Sequence, residues 1–211
     1  MNGFDDDQGY RRIDLTSSPE DGGLARLVRR RRSVKSYRPG RLGLERLSGL
    51  LETTLGARTA GRPYGSAHAR YDVAVTVVAA AVDGLVPGAY RYLPGEHALL
   101  GVGEGDHRRG LAEATLDAAW LTECPVVLLL SADLAAANEA FAAQETGRGE
   151  RFCWFEAGLV AQNVYLWAAG NALGTVFLGG LDSAAVAMVT RGLVPPGQTV
   201  LGMVPIGHPA Q

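Results

Sequence analysis

Residues 154–173 read Trp154-Phe155-Glu156-Ala157-Gly158-Leu159-Val160-Ala161-Gln162-Asn163-Val164-Tyr165-Leu166-Trp167-Ala168-Ala169-Gly170-Asn171-Ala172-Leu173. Twenty positions without a proline make this the longest helical stretch of the chain. Its polar side chains are few, at Glu156, Gln162, Asn163 and Asn171, so it is apolar almost all round rather than along one stripe. A helix of that kind must be buried. In a chain of 211 residues it is expected either at the centre, flanked by other helices, or against a second subunit. The polar groups kept on it need partners.

Working outward, Pro125 opens the apolar run 126–130, whose lack of alternation predicts a strand covered on both faces. A helix is expected through the alanines after Asp133, with a break at 147–150. Upstream, residues 71–82, 89–92 and a short piece near Ala98 are separated by Asp83-Gly84, Pro87-Gly88 and Pro94-Gly95, the pattern of an antiparallel meander. A helix is expected over 107–121. Downstream, 175–178 reads as a strand leading into Gly179-Gly180, 183–191 as a helix and 200–206 as a closing strand. Towards the start, Leu24, Leu27 and Val28 repeat at helical spacing, and Leu44, Leu47, Leu50, Leu51 and Leu55 mark a second amphipathic helix ending near Gly56. Residues 57–70 form a loop. The expected fold class is α+β, with one domain over 22–211 after an acidic, disordered arm over 1–21.

The net charge of -2 conceals an asymmetry: residues 1–21 hold six acids and two arginines, 22–70 twelve bases and two acids, and 71–211 six bases and fourteen acids. A nucleic-acid surface would interleave aromatics with its bases and would not face an acidic remainder, so a discrete phosphate site fits better and no nucleic-acid partner is expected. The run Arg29-Arg30-Arg31-Arg32-Ser33-Val34-Lys35 contains the single lysine of a chain with nineteen arginines. A compact ammonium there can do what a planar guanidinium cannot. Cys124 and Cys153 lie in apolar runs without metal-ligand or redox spacing, as expected of reduced core cysteines in a cytoplasmic protein. The apolar runs are too short for a membrane helix, and the histidines are not grouped as a metal site.

Three separated pieces together point to a flavin site. At a helix exit, Arg31, Arg32 and Ser33 are phosphate ligands by type, and Lys35 can reach the pyrimidine edge of the ring. The second piece is the loop 62–70, with Ser66, Ala67 and His68. The third is Phe177-Leu178-Gly179-Gly180, whose glycines let backbone approach a ligand plane. Gly101-Val102-Gly103-Glu104-Gly105 imitates a dinucleotide loop, but lacks the βαβ setting and is read as a turn.

On these pieces the chain resembles the nitroreductase superfamily, and within it the SagB-type azoline dehydrogenases that oxidise thiazolines and oxazolines in modified peptides. Arg31 to Lys35 matches the Arg-Arg-Ser-x-Lys/Arg opening, and Ser66-Ala67-His68-Ala69-Arg70-Tyr71-Asp72 loosely matches the Pro-Ser-Ala-Gly-x-x-x-Pro loop. Gly84-Leu85, Gly88-Ala89-Tyr90-Arg91-Tyr92, Pro94 and His97-Ala98-Leu99 follow the turn of the azoline branch. Glu156 to Ala168 matches the Glu-Ala-Gly-x-x-x-Gln-Asn-x-x-Leu-x-Ala helix, and the chain closes on Pro205-Ile206-Gly207-His208-Pro209.

The resemblance implies a nitroreductase-like fold with a mostly antiparallel central sheet flanked by helices, an intertwined homodimer and FMN at its interface. By the same resemblance, Arg31 and Ser33, with Arg32 beside them, hold the phosphate and ribityl end, and Lys35 approaches the N1/O2 edge. Ser66 and Ala67 line the ring from the partner subunit, and Phe177, Leu178, Gly179 and Gly180 pass near N5. Gln162 and Asn163 are placed on the interface helix, either touching the cofactor or packing the helix.

The chain also departs from that branch. The Lys-Tyr pair that precedes the Glu-Ala-Gly helix is missing, its region reading Glu139-Ala140-Phe141-Ala142-Ala143-Gln144-Glu145. His68 takes a glycine position and is the residue able to substitute as acid or base, with Glu145 and Glu150 as further carboxylates. The expected function is an FMN-dependent biosynthetic dehydrogenase acting on a peptide-derived or carrier-bound azoline, or a similar C–N or C–C bond, with a partner protein possible. The alternatives are an NAD(P)H-dependent nitro or quinone reductase, and a non-catalytic scaffold in a peptide-modifying complex.

Overall fold

A computed structural model describes residues 13–15 and 22–210, so the arm expected over 1–21 lies outside the described residues except at 13–15, which carry no regular structure. Helix α1 (Gly23–Arg30) and helix α2 (Leu44–Leu55) precede the antiparallel meander β1 (Ala74–Ala79), β2 (Gly88–Leu93) and β3 (Ala98–Glu104). Helix α3 (Arg108–Glu113), β4 (Val126–Ala132), α4 (Leu134–Ala140) and the long α5 (Arg148–Gly170) follow. The order closes with β5 (Gly174–Thr175), α6 (Ser183–Val189) and β6 (Thr199–Gly207).

The strands form one six-stranded sheet in the order β3-β2-β1-β4-β6-β5. Every pair in it is antiparallel. All seven residues of β4 are buried, because α2 and α5 cover one face of the sheet and α3 and α6 the other. Alternation divides β1 accordingly: Val75 and Val77 face α5, whereas Val78 joins Leu111 of α3 and Val186 of α6. No helix among the described residues is long and apolar enough to cross a membrane.

Four local expectations are revised. The helix expected over 107–121 is α3 followed by a separate 3-10 turn, Ala119–Glu123. Between them Thr115 Oγ1 donates to Ala112 O and accepts from Ala118 N, a side-chain hydrogen bond competing with helix continuation. The glycine run 101–105 belongs to β3 up to Glu104, and only Gly105, at φ +93°, turns. A Cβ on Gly103 would meet Leu193 Cδ2 at 2.7 Å, so that glycine serves close packing. The 147–150 segment does not interrupt a helix but begins one: Gly147, at φ +74°, stands just before α5. The strand expected over 175–178 pairs continuously with β6 only at Gly174–Thr175; Leu178 rejoins β6 through two backbone bonds to Met203, and Phe177 N, which faces away from β6, donates to Tyr165 Oη.

Helix α5 is buried on one side only. Cys153, Ala157, Val160, Ala161, Val164 and Ala168 enter the core, while Trp154, Phe155 and Leu159 are 44%, 64% and 46% exposed. These three, with Gly158 and Gln162, form a solvent-facing stripe in a helix whose sequence calls for burial all round.

Candidate functional site

The basic exit of α1 is drawn to the C-terminal half of α5 by one phenol. Tyr165 Oη lies 3.1 Å from Ser33 Oγ and accepts from Phe177 N at 2.9 Å, while the Arg31 guanidinium sits 5.1 Å from the Tyr165 ring centroid. Backbone reinforces the junction. Val34 N donates to Thr175 O, and Ser33 bridges Thr175 in parallel fashion. A Cβ on Gly174 would fall 2.7–2.9 Å from the Val34 side chain, so glycine permits this approach. Tyr165 carries no sequence signal beyond its place on an apolar helix; the pattern of Ser33 and Phe177 converging on it exists only in three dimensions.

Around this junction opens a cleft of about 870 Å³. Arg29, Arg30, Arg32, Lys35 and Arg38 line it, and among the described residues no carboxylate side chain does. Thr175 Oγ1, at the bottom, is buried without a hydrogen-bond partner. A concave, cationic surface with an unsatisfied buried hydroxyl has the chemistry to take an extended anionic ligand. Lys35 is exposed at this cleft. Gly179 and Gly180 are exposed outside it, where Leu116 N donates to Gly180 O. The Phe177 ring turns away onto Gly202, whose Cβ would lie 2.4 Å from Phe177 Cζ.

The second loop is held at the other half of α5. Glu156, 4% exposed, accepts from Val73 N at 2.9 Å, and Ser66 Oγ accepts from Tyr71 N at 2.7 Å. Burial pushes the Glu156 carboxyl up, and hydrogen bonds from Ser66 and Val73 oppose that rise. Asn163 Nδ2 donates to Pro63 O at 2.8 Å, which gives Asn163 a packing partner, whereas Gln162 is exposed on the apolar stripe. Three residues of this loop that are not glycine, His68, Ala69 and Tyr71, have φ near +53° to +55°. Such backbone persists only where its surroundings over-determine it.

Within one chain the two pieces do not meet. Glu156 and Tyr165 are nine residues apart, which places them about 13 Å apart along α5 and half a turn around it. Arg31, Ser33 and Thr175 therefore gather on one side, and Ser66 and Ala67 on another. His68 is exposed, its ring edge-on to Phe141 at 5.4 Å. Of the two further candidate carboxylates, Glu145 is held below the usual range by Arg148 and Arg151, and Glu150 accepts from Trp154 Nε1 at 3.3 Å. Both cysteines are buried free thiols; burial pushes Cys124 up to about 12 and Cys153 up to about 11, away from thiolate chemistry at neutral pH.

The Tyr92 and His97 of the hairpin motif bind each other. Tyr92 Oη lies 2.8 Å from His97 Nδ1, and His97 Nε2 lies 2.9 Å from Ser48 Oγ, which fastens the β2–β3 hairpin to α2.

Comparison with known proteins agrees with this architecture. The Nitroreductase family model matches residues 28–208. A Methanocaldococcus jannaschii protein bearing the nitroreductase name, MJ1384, is 32% identical over 152 residues, which are 71% of this chain and 75% of that protein. Among solved structures, a nitroreductase-type protein of Anabaena variabilis superposes with a TM-score of 0.77 at 24% identity, over 89% of this chain but only 38% of that one. This chain thus spans well under half of the Anabaena chain. A Ralstonia eutropha protein of the same type gives a TM-score of 0.72 at 24% identity, over 95% of this chain and 88% of its own. A chain of the Escherichia coli microcin synthetase McbBCD complex, with truncated pro-MccB17 bound, gives 0.76 at 20% identity, over 100% and 79%. At these identities the structures speak for the fold. Together with the family match, the mixed helix and antiparallel-sheet architecture shows that the chain belongs to the Nitroreductase family of oxidoreductases, whose members generally bind FMN.

Proposed function

We propose that this protein is an FMN-dependent dehydrogenase of biosynthetic type, desaturating a peptide-derived or carrier-bound azoline or a similar C–N or C–C bond. The observation that carries the flavin assignment is the Tyr165 junction, which ties the Phe177 backbone to Ser33, and Ser33 and Tyr165 both line the cationic cleft. Arg31, Arg32 and Ser33 hold the phosphate end, with Thr175 Oγ1 available as a further contact. Lys35 would set a point charge at the pyrimidine edge of a bound flavin, favouring negative charge there. Phe177, Leu178, Gly179 and Gly180 would line the ring of a bound flavin near N5. When bound, FMN supplies the hydride acceptor of the reaction. His68 takes the proton from the substrate, in place of the missing Lys-Tyr pair.

A second copy of the chain completes the site. Trp154, Phe155 and Leu159 are exposed on α5, and covering them removes apolar area from water. The same pairing would bring Ser66 and Ala67 of one copy to the cleft of the other. The biosynthetic substrate class is supported by the likeness to the microcin synthetase chain over 100% of this chain, and by the hairpin motif of the azoline branch.

Anaerobic spectroscopy of the purified protein tests this reading. The flavin is expected to bleach on addition of a thiazoline peptide without nicotinamide. Bleaching by NADPH alone would install the nitro or quinone reductase in its place, and a colourless protein that takes up no added FMN would leave a scaffold.

A further inference from the structure

A second cavity lies away from the Tyr165 cleft, where β1 begins, β2 ends and β4 gives way to α4. Its volume is about 310 Å³. Leu55, Val73, Val75, Tyr92 and Pro94 give it an apolar lining, and Arg62 and Arg91 contribute two guanidinium groups. Arg91 is unusual among the described residues. Its Nε is buried without a hydrogen-bond partner, and no ion pair reaches its guanidinium. Leaving such a donor unsatisfied is costly, so its position favours an acceptor arriving from the cavity.

The acids in the wall do not answer it. Asp72 is occupied by Arg70, at 2.8 Å and 3.0 Å, and Asp133 Oδ1 accepts from Ala136 N at the start of α4. Arg62 gives one N–H to Tyr64 Oη at 2.9 Å and stacks on the Tyr71 ring at 4.8 Å. The cavity therefore borders both an unpartnered guanidinium and hydrocarbon side chains, at the point where β1 and β2 part beyond the Thr76–Arg91 pair. Two carboxylates in its wall disfavour a doubly charged guest such as phosphate, whereas a single carboxylate matches the fork in shape and charge.

We propose that this cavity is a binding site for a small carboxylate with an apolar or aromatic body, the carboxylate taken by Arg91. The site stands apart from the flavin reading, since none of its residues lines the Tyr165 cleft. It does border the second loop: Tyr71 N is bonded to Ser66 Oγ and Val73 N to Glu156. An occupant touches the segment that fixes Ser66.

The test uses the full chain and three probes, 3-phenylpropionate, its neutral twin 3-phenylpropanol, and inorganic phosphate, titrated by calorimetry. The acid is expected to bind about tenfold or more tightly than the alcohol, and Arg91→Gln to lose about tenfold or more of that affinity. Phosphate is expected not to compete. Protection from phenylglyoxal, read by mass spectrometry on the unmodified protein, locates the site without any variant: the acid should shield Arg91 and the alcohol should not. Equal affinity for acid and alcohol, an unchanged Arg91→Gln, displacement by phosphate, shielding of Arg29 to Arg38 instead of Arg91, or no saturable binding would each overturn the proposal.

Discussion

Tyr165 and Glu156 sit on one helix and organise one loop each, yet they do so by opposite means. Tyr165 is half-buried and gathers polar groups from two separate segments, leaving Lys35 and the neighbouring arginines beside an open cleft. Glu156 is buried and spends its carboxylate on the backbone at Val73 and on Ser66, so its loop is held in a geometry that includes left-handed residues without glycine. The difference teaches where flexibility has been kept. A phenol at the rim arranges polar groups that a ligand can still reach, whereas a buried carboxylate fixes backbone and offers nothing outward. Half a turn of α5 separates them, so within one chain the two loops lie on opposite sides of the helix.

The sharpest way to break that contrast is Tyr165→Phe. The ring and its packing remain, but Ser33 Oγ and Phe177 N lose their partner. Flavin affinity is expected to weaken by about tenfold, read by fluorescence titration, with about 1 kcal/mol lost in urea unfolding. Unchanged flavin affinity would reduce Tyr165 to a packing residue.

Glu156→Gln probes the other side through pH. The folded carboxyl holds its proton more tightly than the unfolded one, chiefly through burial. Its stabilising contribution is therefore complete below the usual carboxylate range and is lost as pH rises through the raised value. From about pH 4 upward, thermal melts of the natural protein should decline relative to those of Glu156→Gln. Parallel curves would mean that the hydrogen bonds from Ser66 and Val73 cancel the effect of burial.

The smallest effect is expected at a polar cluster remote from both. His97→Ala removes the link between Tyr92 and Ser48, and about 1 kcal/mol of stability should go with it while flavin affinity stays level. A change in flavin affinity would couple the hairpin to the cleft and blur the contrast between the two halves of α5.

Much of this was legible in the residues themselves. The unalternating run 126–130 is buried in β4, the meander 71–99 is β1 to β3, and the long apolar stretch is α5. These follow from periodicity, which reports on neighbours along the chain. Where a side-chain hydrogen bond or a break in the ladder intervened, periodicity misled: Thr115 ended a helix early, and after Thr175 the pairing with β6 returns only at Leu178. The two motifs behind the resemblance also looked alike in kind. The structure separates them, because Ser33 and Lys35 stay at an open cleft while Tyr92 and His97 are joined to each other.

By itself, then, the sequence determined the α+β pattern, the family and the charge that concentrates before Arg70, since each depends on residue order and type. Only the tertiary structure decided that Tyr165 is the junction of the cleft, that α5 keeps an apolar stripe in solvent, and that Arg91 stands in a cavity without a partner. Those facts depend on which distant side chains arrive at the same place, and on which polar groups are already taken when they do.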